Sequence, residues 1–159
     1  MIARLTALLV LLPTAVLAQS GPQYINPSTL VKPNGYTHVV VAPDGRTVYI
    51  AGQVAFDSTG QLVGGNNFEA QAERVYQNLR RALASVGGSL DDLAKTTTYI
   101  TDQKNVAALR GIRAKYLDQA RPPANTLLVV SRLARPDLLI EIEAVALLGG
   151  VVRHTGSQR

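Results

Sequence analysis

The spacing of the apolar residues changes along this chain, and that change limits the folds open to it. Residues 38–54 form two β-branched runs on either side of a Pro-Asp-Gly turn, a pattern typical of a β-hairpin. Over residues 68–86 the apolar positions recur every three or four residues, which predicts a long amphipathic helix. Asn66 is placed to cap this helix, Glu69 to complete a capping box, and Gly87-Gly88 to end it.

The second half of the chain repeats this exchange of strand and helix spacing. Residues 94–101 are β-branched and aromatic, which favours a strand. Asp102 can then cap a second helix, and Arg121-Pro122-Pro123 ends it because a residue before proline resists the α region. Two further strands are predicted over about 126–132 and 138–147.

The predicted order is β-β-α-β-α-β-β, an α+β arrangement. In the last strand the apolar residues alternate with Glu141 and Glu143, so the two faces of that strand differ in polarity. Two helices can cover only one face of such a sheet. We therefore expect the other face to be covered by copies of the same chain.

The beginning of the sequence has the layout of a secretory signal peptide. In residues 1–18, Arg4 precedes a short apolar run that ends in small residues. Because this run is too short to cross a ~30 Å hydrocarbon core, we expect cleavage after Ala18, a periplasmic or secreted protein, and no membrane association afterwards. Residues 19–150 then form a single domain, and residues 151–159 a flexible tail.

Composition argues against several classes of function. The chain has no cysteine and only 2 histidines, His38 and His154, which lie far apart in sequence, so no metal site is expected. The net charge is +5, but the charged residues are scattered along the chain, and no cationic run is longer than Arg80-Arg81. Binding to phosphate backbones requires clustered cations, so a nucleic-acid partner is not expected.

Four segments together resemble the RidA/YjgF family of imine and enamine deaminases. They are the stretch from YTHVVV at 36–41 to VYIAGQV at 48–54, SLDDLAKTTTYITD at 89–102, AALRGIRAKYL at 107–117, and the stretch from PPANT at 122–126 to IEIEAVAL at 140–147. The resemblance implies a chorismate-mutase-like fold with a mixed sheet and both helices on one face. It also implies a homotrimer with small-molecule clefts between subunits. Family deaminases hydrolyse 2-imino acids to 2-keto acids and ammonia without a cofactor.

The resemblance also assigns candidate site residues. Glu141 matches the glutamate that orients the attacking water, and the matching substrate-binding positions are Tyr36, Gly52, Asn125, Leu127 and Arg110. Asn125 stands where active deaminases have the arginine that grips the substrate carboxylate. Leu127 stands where many members have a cysteine or another small residue, and Arg110 where they usually have a pocket-facing asparagine.

Asn125, in the place of that arginine, is expected to weaken binding of a substrate carboxylate. Loss of two charge-assisted hydrogen bonds, at ~1.5–3 kcal/mol each, weakens binding of an acid by about 10²–10⁴-fold. Two functions therefore stay open: a deaminase or related hydrolase of unknown substrate, and a non-catalytic trimer that binds a small molecule or a protein. Arg110 either meets the anion from the helix side or is a solvated helix residue.

Overall fold

The computed structural model describes residues 23–33, 38–41 and 47–148. The signal peptide, the Pro-Asp-Gly turn, Tyr36 and the C-terminal tail lie outside these residues. Six strands and two α-helices occur in the described part: β1 Gln23–Ile25, β2 Val39–Val41, β3 Thr47–Gln53, α1 Phe68–Ala84, β4 Leu93–Ile100, α2 Val106–Tyr116, β5 Ala124–Val129 and β6 Ile140–Leu147.

The strands form one mixed sheet in the order β1-β2-β3-β6-β4-β5. All neighbouring strands are antiparallel except β4 and β5, which are parallel and are joined by a crossover through α2. This arrangement confirms the predicted α+β class. The prediction missed β1, which has three residues and extends the sheet beyond β2. It also placed the strand β5 two residues too late.

Helix α1 begins one residue later than the sequence pattern predicted. Its cap is Asn67, whose side-chain oxygen accepts a hydrogen bond from the Ala70 amide at 2.8 Å. The prediction of Asn66 with a capping-box Glu69 was therefore wrong, since Glu69 then lies only two residues after the cap. The helix stops as predicted, because Gly87 adopts a positive φ of 76° that other residues rarely accept.

Both helices pack on one face of the sheet. The face of β6 predicted to be apolar is buried there, together with one face of α1 and with Leu109 and Ile112 of α2. The buried β6 residues are Ile140, Ile142, Ala144 and Ala146. The alternation of this strand thus decides which side of the sheet receives the helices.

The opposite side of the sheet, called here the open face, has no helix over it among the described residues. Its side chains come from the alternate positions of the central strands: Tyr49, Ala51, Thr97, Tyr99, Glu141, Glu143, Val145 and Leu147. Tyr49 is 55 % exposed and Leu147 is 52 % exposed. The edge strand β5 is exposed at every residue. The open face and this edge therefore present apolar side chains that the single chain does not cover.

Candidate active site on the open face

Glu141 is the second residue of β6, which lies between β3 and β4, and its side chain lies on the open face. Its carboxylate rests on Gly52: a β-carbon on residue 52 would lie 2.8 Å from the Glu141 carboxyl carbon and closer still to Oε1. The pairing of β3 with β6 shifts register between Ile50 and Gln53, so the backbone at Gly52 departs from the regular ladder. Gly52 therefore provides the space in which the carboxylate sits.

The environment of Glu141 favours its neutral form. Burial, and then the negative charge of Glu143 two residues along the strand, raise the pKa of Glu141 above the usual carboxyl value. Glu141 forms no ion pair and no side-chain hydrogen bond within the described ranges. A half-buried carboxylate in this state has capacity to accept a proton and lone pairs for a water molecule.

Glu143 has a different neighbour. The Tyr99 hydroxyl donates to Glu143 Oε1 at 3.4 Å, and burial, followed by the Glu143 charge, raises the pKa of Tyr99. Beside these two residues the open face has a shallow concavity of about 380 Å³. Its lining includes Val40, Tyr49, Lys95, Thr97 and Glu143 but not Glu141. Glu141 thus stands next to a hollow that is wide enough for a small molecule.

The backbone beneath Glu141 is braced by two buried polar side chains. Gln53 Nε2 donates to the Ala51 carbonyl at 3.1 Å and to His38 Nδ1 at 3.2 Å. Because the amide nitrogen can only donate, His38 Nδ1 accepts, and its Nε2–H donates to the Val31 carbonyl at 2.8 Å. These bonds fix the end of β3 and with it the position of Gly52.

Asn125 lies on the other side of the sheet from Glu141. It pairs in register with Thr96 of β4, and its Nδ2 donates to Thr96 Oγ1 at 2.8 Å and to Thr98 Oγ1 at 3.3 Å. Both threonines point to the helices and are 3 % exposed. Within one chain, therefore, Asn125 and Glu141 do not face the same cleft. Leu127, two residues further along β5, lies on the same side as Asn125 and is 38 % exposed.

An arginine that sequence reasoning had not selected contacts Asn125. Arg113 Nη1 donates to Asn125 Oδ1 at 3.4 Å. Arg110, one turn earlier on α2, is exposed and makes no polar contact with Asn125. The sequence held one indication of this contact: Arg110 and Arg113 are three residues apart, which places both on one side of α2. Sequence alone does not tell which of them reaches β5.

Neither a metal-ligand cluster nor a membrane-spanning helix occurs in the described ranges. No group of three or more histidine, cysteine, aspartate or glutamate side chains is arranged there to hold a metal ion. None of the helices in those ranges is both long enough and apolar enough to cross a bilayer.

Comparison with known proteins gives consistent matches over this domain. Residues 28–148 match a family model described as Endoribonuclease L-PSP. A RutC family protein of Synechocystis sp. is 36 % identical over 117 residues, which cover 73 % of this chain and 88 % of the relative.

Two solved structures show the same fold. The crystal structure of RidA from the Antarctic bacterium Psychrobacter sp. superposes with a TM-score of 0.73 at 32 % identity, covering 79 % of this chain and 99 % of the other. That of E. coli TdcF with bound serine superposes with a TM-score of 0.71 at 27 % identity, covering 79 % of this chain and 98 % of the other.

Proposed function

Since the chain belongs to the RidA/YjgF family, whose family model is described as Endoribonuclease L-PSP, we propose that it is a cofactor-free hydrolase of the imine deaminase type. Family membership itself supports a general imine deaminase-type or related role. The finer proposal is an exported homotrimer that hydrolyses a small carboxylic-acid imine in clefts between subunits. The observation that carries it is the half-buried Glu141 carboxylate, which rests on Gly52 with a raised pKa and no partner cation in the described ranges.

The chemistry follows from what such a carboxylate does. Glu141 accepts a proton from water while the water oxygen bonds to the imine carbon, and the C=N bond becomes a single bond. The protonated Glu141 then returns that proton to nitrogen, which gives a carbinolamine. Glu141 next takes the proton of the new hydroxyl and passes it to the amino nitrogen, so the C–N bond breaks, ammonia leaves and the carbonyl forms. Water and imine thus give ketone and ammonia without an oxidant or a metal. A base with a raised pKa suits these proton transfers near neutral pH.

The trimer is supported by surfaces that the single chain leaves open. The exposed apolar side chains of Tyr49 and Leu147 lie on the open face, and β5 is an exposed edge strand. Asn125 and Glu141 face opposite sides of one sheet, so a cleft that contains both needs a second copy. Packing the β5 edge of one chain near the open face of the next satisfies both conditions, and a closed ring of three has no open ends.

Export is supported by the sequence of residues 1–18, which has the charge and apolar pattern of a signal peptide. The test is an intact-mass measurement on protein recovered from the periplasm or the medium. We expect a chain that begins at Gln19. A full-length chain confined to the cytoplasm would contradict export and leave the chemistry untouched.

A specific observation favours a second candidate, a non-catalytic trimer that binds a small molecule or a protein. Residue 125 is a neutral amide. Loss of a bidentate charged contact costs about 3–6 kcal/mol of binding. If nothing replaced that contact, Glu141 would have no anchored imine on which to act.

Nucleic-acid cleavage, which the name of the family model suggests, has less support in this chain. Two of the polar side chains on the open face are carboxylates, Glu141 and Glu143. A surface that binds a phosphate backbone needs clustered cations instead.

The deciding experiment measures hydrolysis of imines generated in situ by an amino-acid oxidase. The readout is keto-acid and ammonia formation above the spontaneous rate. We expect wild-type protein to accelerate the reaction and Glu141→Gln, which keeps shape but loses the base, to fall by about 10²-fold or more. Glu69→Gln, an exposed change in the first turn of α1, is the matched control. An inactive wild-type trimer that still binds 2-keto acids would establish the second candidate instead.

A further inference from the structure

We propose that Arg113 supplies the cation that anchors the substrate carboxylate, and that Asn125 holds Arg113 in place. The inference rests on the proposed function only in assuming that the exposed end of β5 borders a substrate cleft. The contact that carries it is the hydrogen bond from Arg113 Nη1 to Asn125 Oδ1. The positive charge is then supplied by α2 instead of β5.

The orientation of the Asn125 amide is set by two threonines of β4. Its Nδ2 donates to the hydroxyls of Thr96 and Thr98, both of which are buried under the helices. The carbonyl oxygen Oδ1 must then point away from β4, toward Arg113. A flipped amide would place the Nδ2 donors against the guanidinium donors, which is unfavourable. The chain of contacts from β4 through Asn125 thus presents an acceptor to Arg113 in one orientation.

The charge of Arg113 is not neutralised within the described ranges. Two nearby cations have carboxylate partners: Lys115 pairs with Glu73 at 2.7 Å, and Arg121 pairs with Asp118 at 3.2 Å. Arg110, like Arg113, has no ion pair in those ranges. Arg113 is half-buried and its only hydrogen bond in those ranges is the one to Asn125. Two guanidinium nitrogens, Nε and Nη2, keep their donors available. That edge of a guanidinium matches the two oxygens of a carboxylate.

Arg110 makes the assignment specific. It is the same residue type on the same helix, one turn earlier, and it is exposed. If anions were attracted to the basic helix in general, loss of either arginine would weaken acid binding equally. A carboxylate seat, meaning a binding position formed by Arg113 and Asn125, depends on Arg113 alone, because Asn125 orients only that guanidinium.

The test measures binding of pyruvate, 2-oxobutanoate and phenylpyruvate to the whole mature protein by calorimetry or saturation-transfer NMR. Arg113→Gln should weaken binding of the acids by about 10–100-fold, while Arg110→Gln stays within about twofold. Arg113→Lys should be intermediate, because an ammonium keeps the charge without the fork. Adding Asn125→Arg to Arg113→Gln should restore binding. The uncharged 2-oxobutanamide should bind wild type and Arg113→Gln equally.

Three results would overturn the assignment. The first is equal weakening by Arg113→Gln and Arg110→Gln. The second is no binding of any of the three acids to the wild type. The third is Arg113-dependent binding of inorganic phosphate as tight as that of the acids, which would make the seat a general anion site. Circular dichroism and light scattering of each variant exclude misfolding as the cause.

The outcome is separable from that of the hydrolysis assay. Binding that depends on Arg113 without ammonia release keeps the carboxylate seat and removes the catalytic proposal. Ammonia release that depends on Glu141 but not on Arg113 keeps the hydrolase and removes the seat.

Discussion

Glu141 and Gly52 face each other across β6 and β3 so closely that residue 52 has no room for a side chain unless the carboxylate moves. A β-carbon there would lie 2.8 Å from the Glu141 carboxyl carbon. The atoms it would displace belong to the end of a flexible side chain and not to the backbone. The candidate base and the glycine that makes space for it thus form one unit.

Gly52→Ala should therefore disable the site and spare the fold. The added methyl group displaces the Glu141 carboxylate, and a shift of about 1 Å in a reacting group can cost about 10²-fold in rate. The free energy of unfolding should change by less than about 1 kcal/mol, because the carboxylate can swing outward. Imine hydrolysis and urea denaturation measure the two effects. Gly111→Ala on α2 is the control, because a β-carbon there would meet no atom within 4 Å beyond its chain neighbours and the backbone of its own helix. We expect this change to stabilise the protein by about 0.5–1 kcal/mol. Full activity in Gly52→Ala would contradict the geometry.

Glu141→Gln should change how stability depends on pH. The folded-state pKa of Glu141 is raised, by burial first and then by Glu143, above its unfolded value of about 4.5. Folding thus favours the protonated acid, and this residue's stabilising contribution is full below the unfolded pKa and is lost as pH rises through the folded pKa. Urea unfolding should show equal stability of wild type and variant at pH 4, and a more stable variant at pH 8. Glu69→Gln, at the start of α1, should instead be neutral or slightly destabilising at pH 8, because it removes a charge that favours the helix N-terminus. A variant less stable than wild type at pH 8 would refute the assigned environment.

Gln53→Leu should destabilise the end of β3 as well as the site. The leucine removes the donor to the Ala51 carbonyl, which is partly buried, and to His38 Nδ1, which is buried. Each unsatisfied group costs about 1–3 kcal/mol, so we expect a loss of about 2–6 kcal/mol. The exposed change Gln61→Leu, which should stay within about 0.5 kcal/mol, is the comparison in the same denaturation series. Equal effects of the two substitutions would show that the buried bonds contribute little.

Tyr49→Lys should dissociate the proposed trimer. Tyr49 is 55 % exposed in the single chain and pairs with Val145 on the open face. A lysine there would have to lose its hydration shell when a second copy covers it, which is costly without a partner charge. Light scattering should report monomers for Tyr49→Lys and trimers for Ala107→Lys, a change to lysine on the exposed side of α2. An unaltered trimer in Tyr49→Lys would place the interface elsewhere.

Much of this architecture follows from local patterns. The change from alternating to helical spacing gave the order of the elements after β1, because such spacing reflects which side of each element is buried. The short strand β1 has three residues, too few to show any period. The error of one residue at the helix cap has a similar origin: Asn66 and Asn67 are adjacent and alike, and only the backbone shows which one has non-helical angles.

The sequence by itself determined the fold class and the face of β6 that is buried, while the family resemblance assigned Glu141 and Asn125 as candidate site residues. The tertiary structure decided that these two residues lie on opposite sides of the sheet, and that Arg113 rather than Arg110 reaches Asn125. The physical reason is range. Periodicity and capping depend on neighbours within a few residues, whereas the position of a side chain on α2 relative to β5 depends on how the helix packs on the sheet. That packing is the sum of contacts over the whole core.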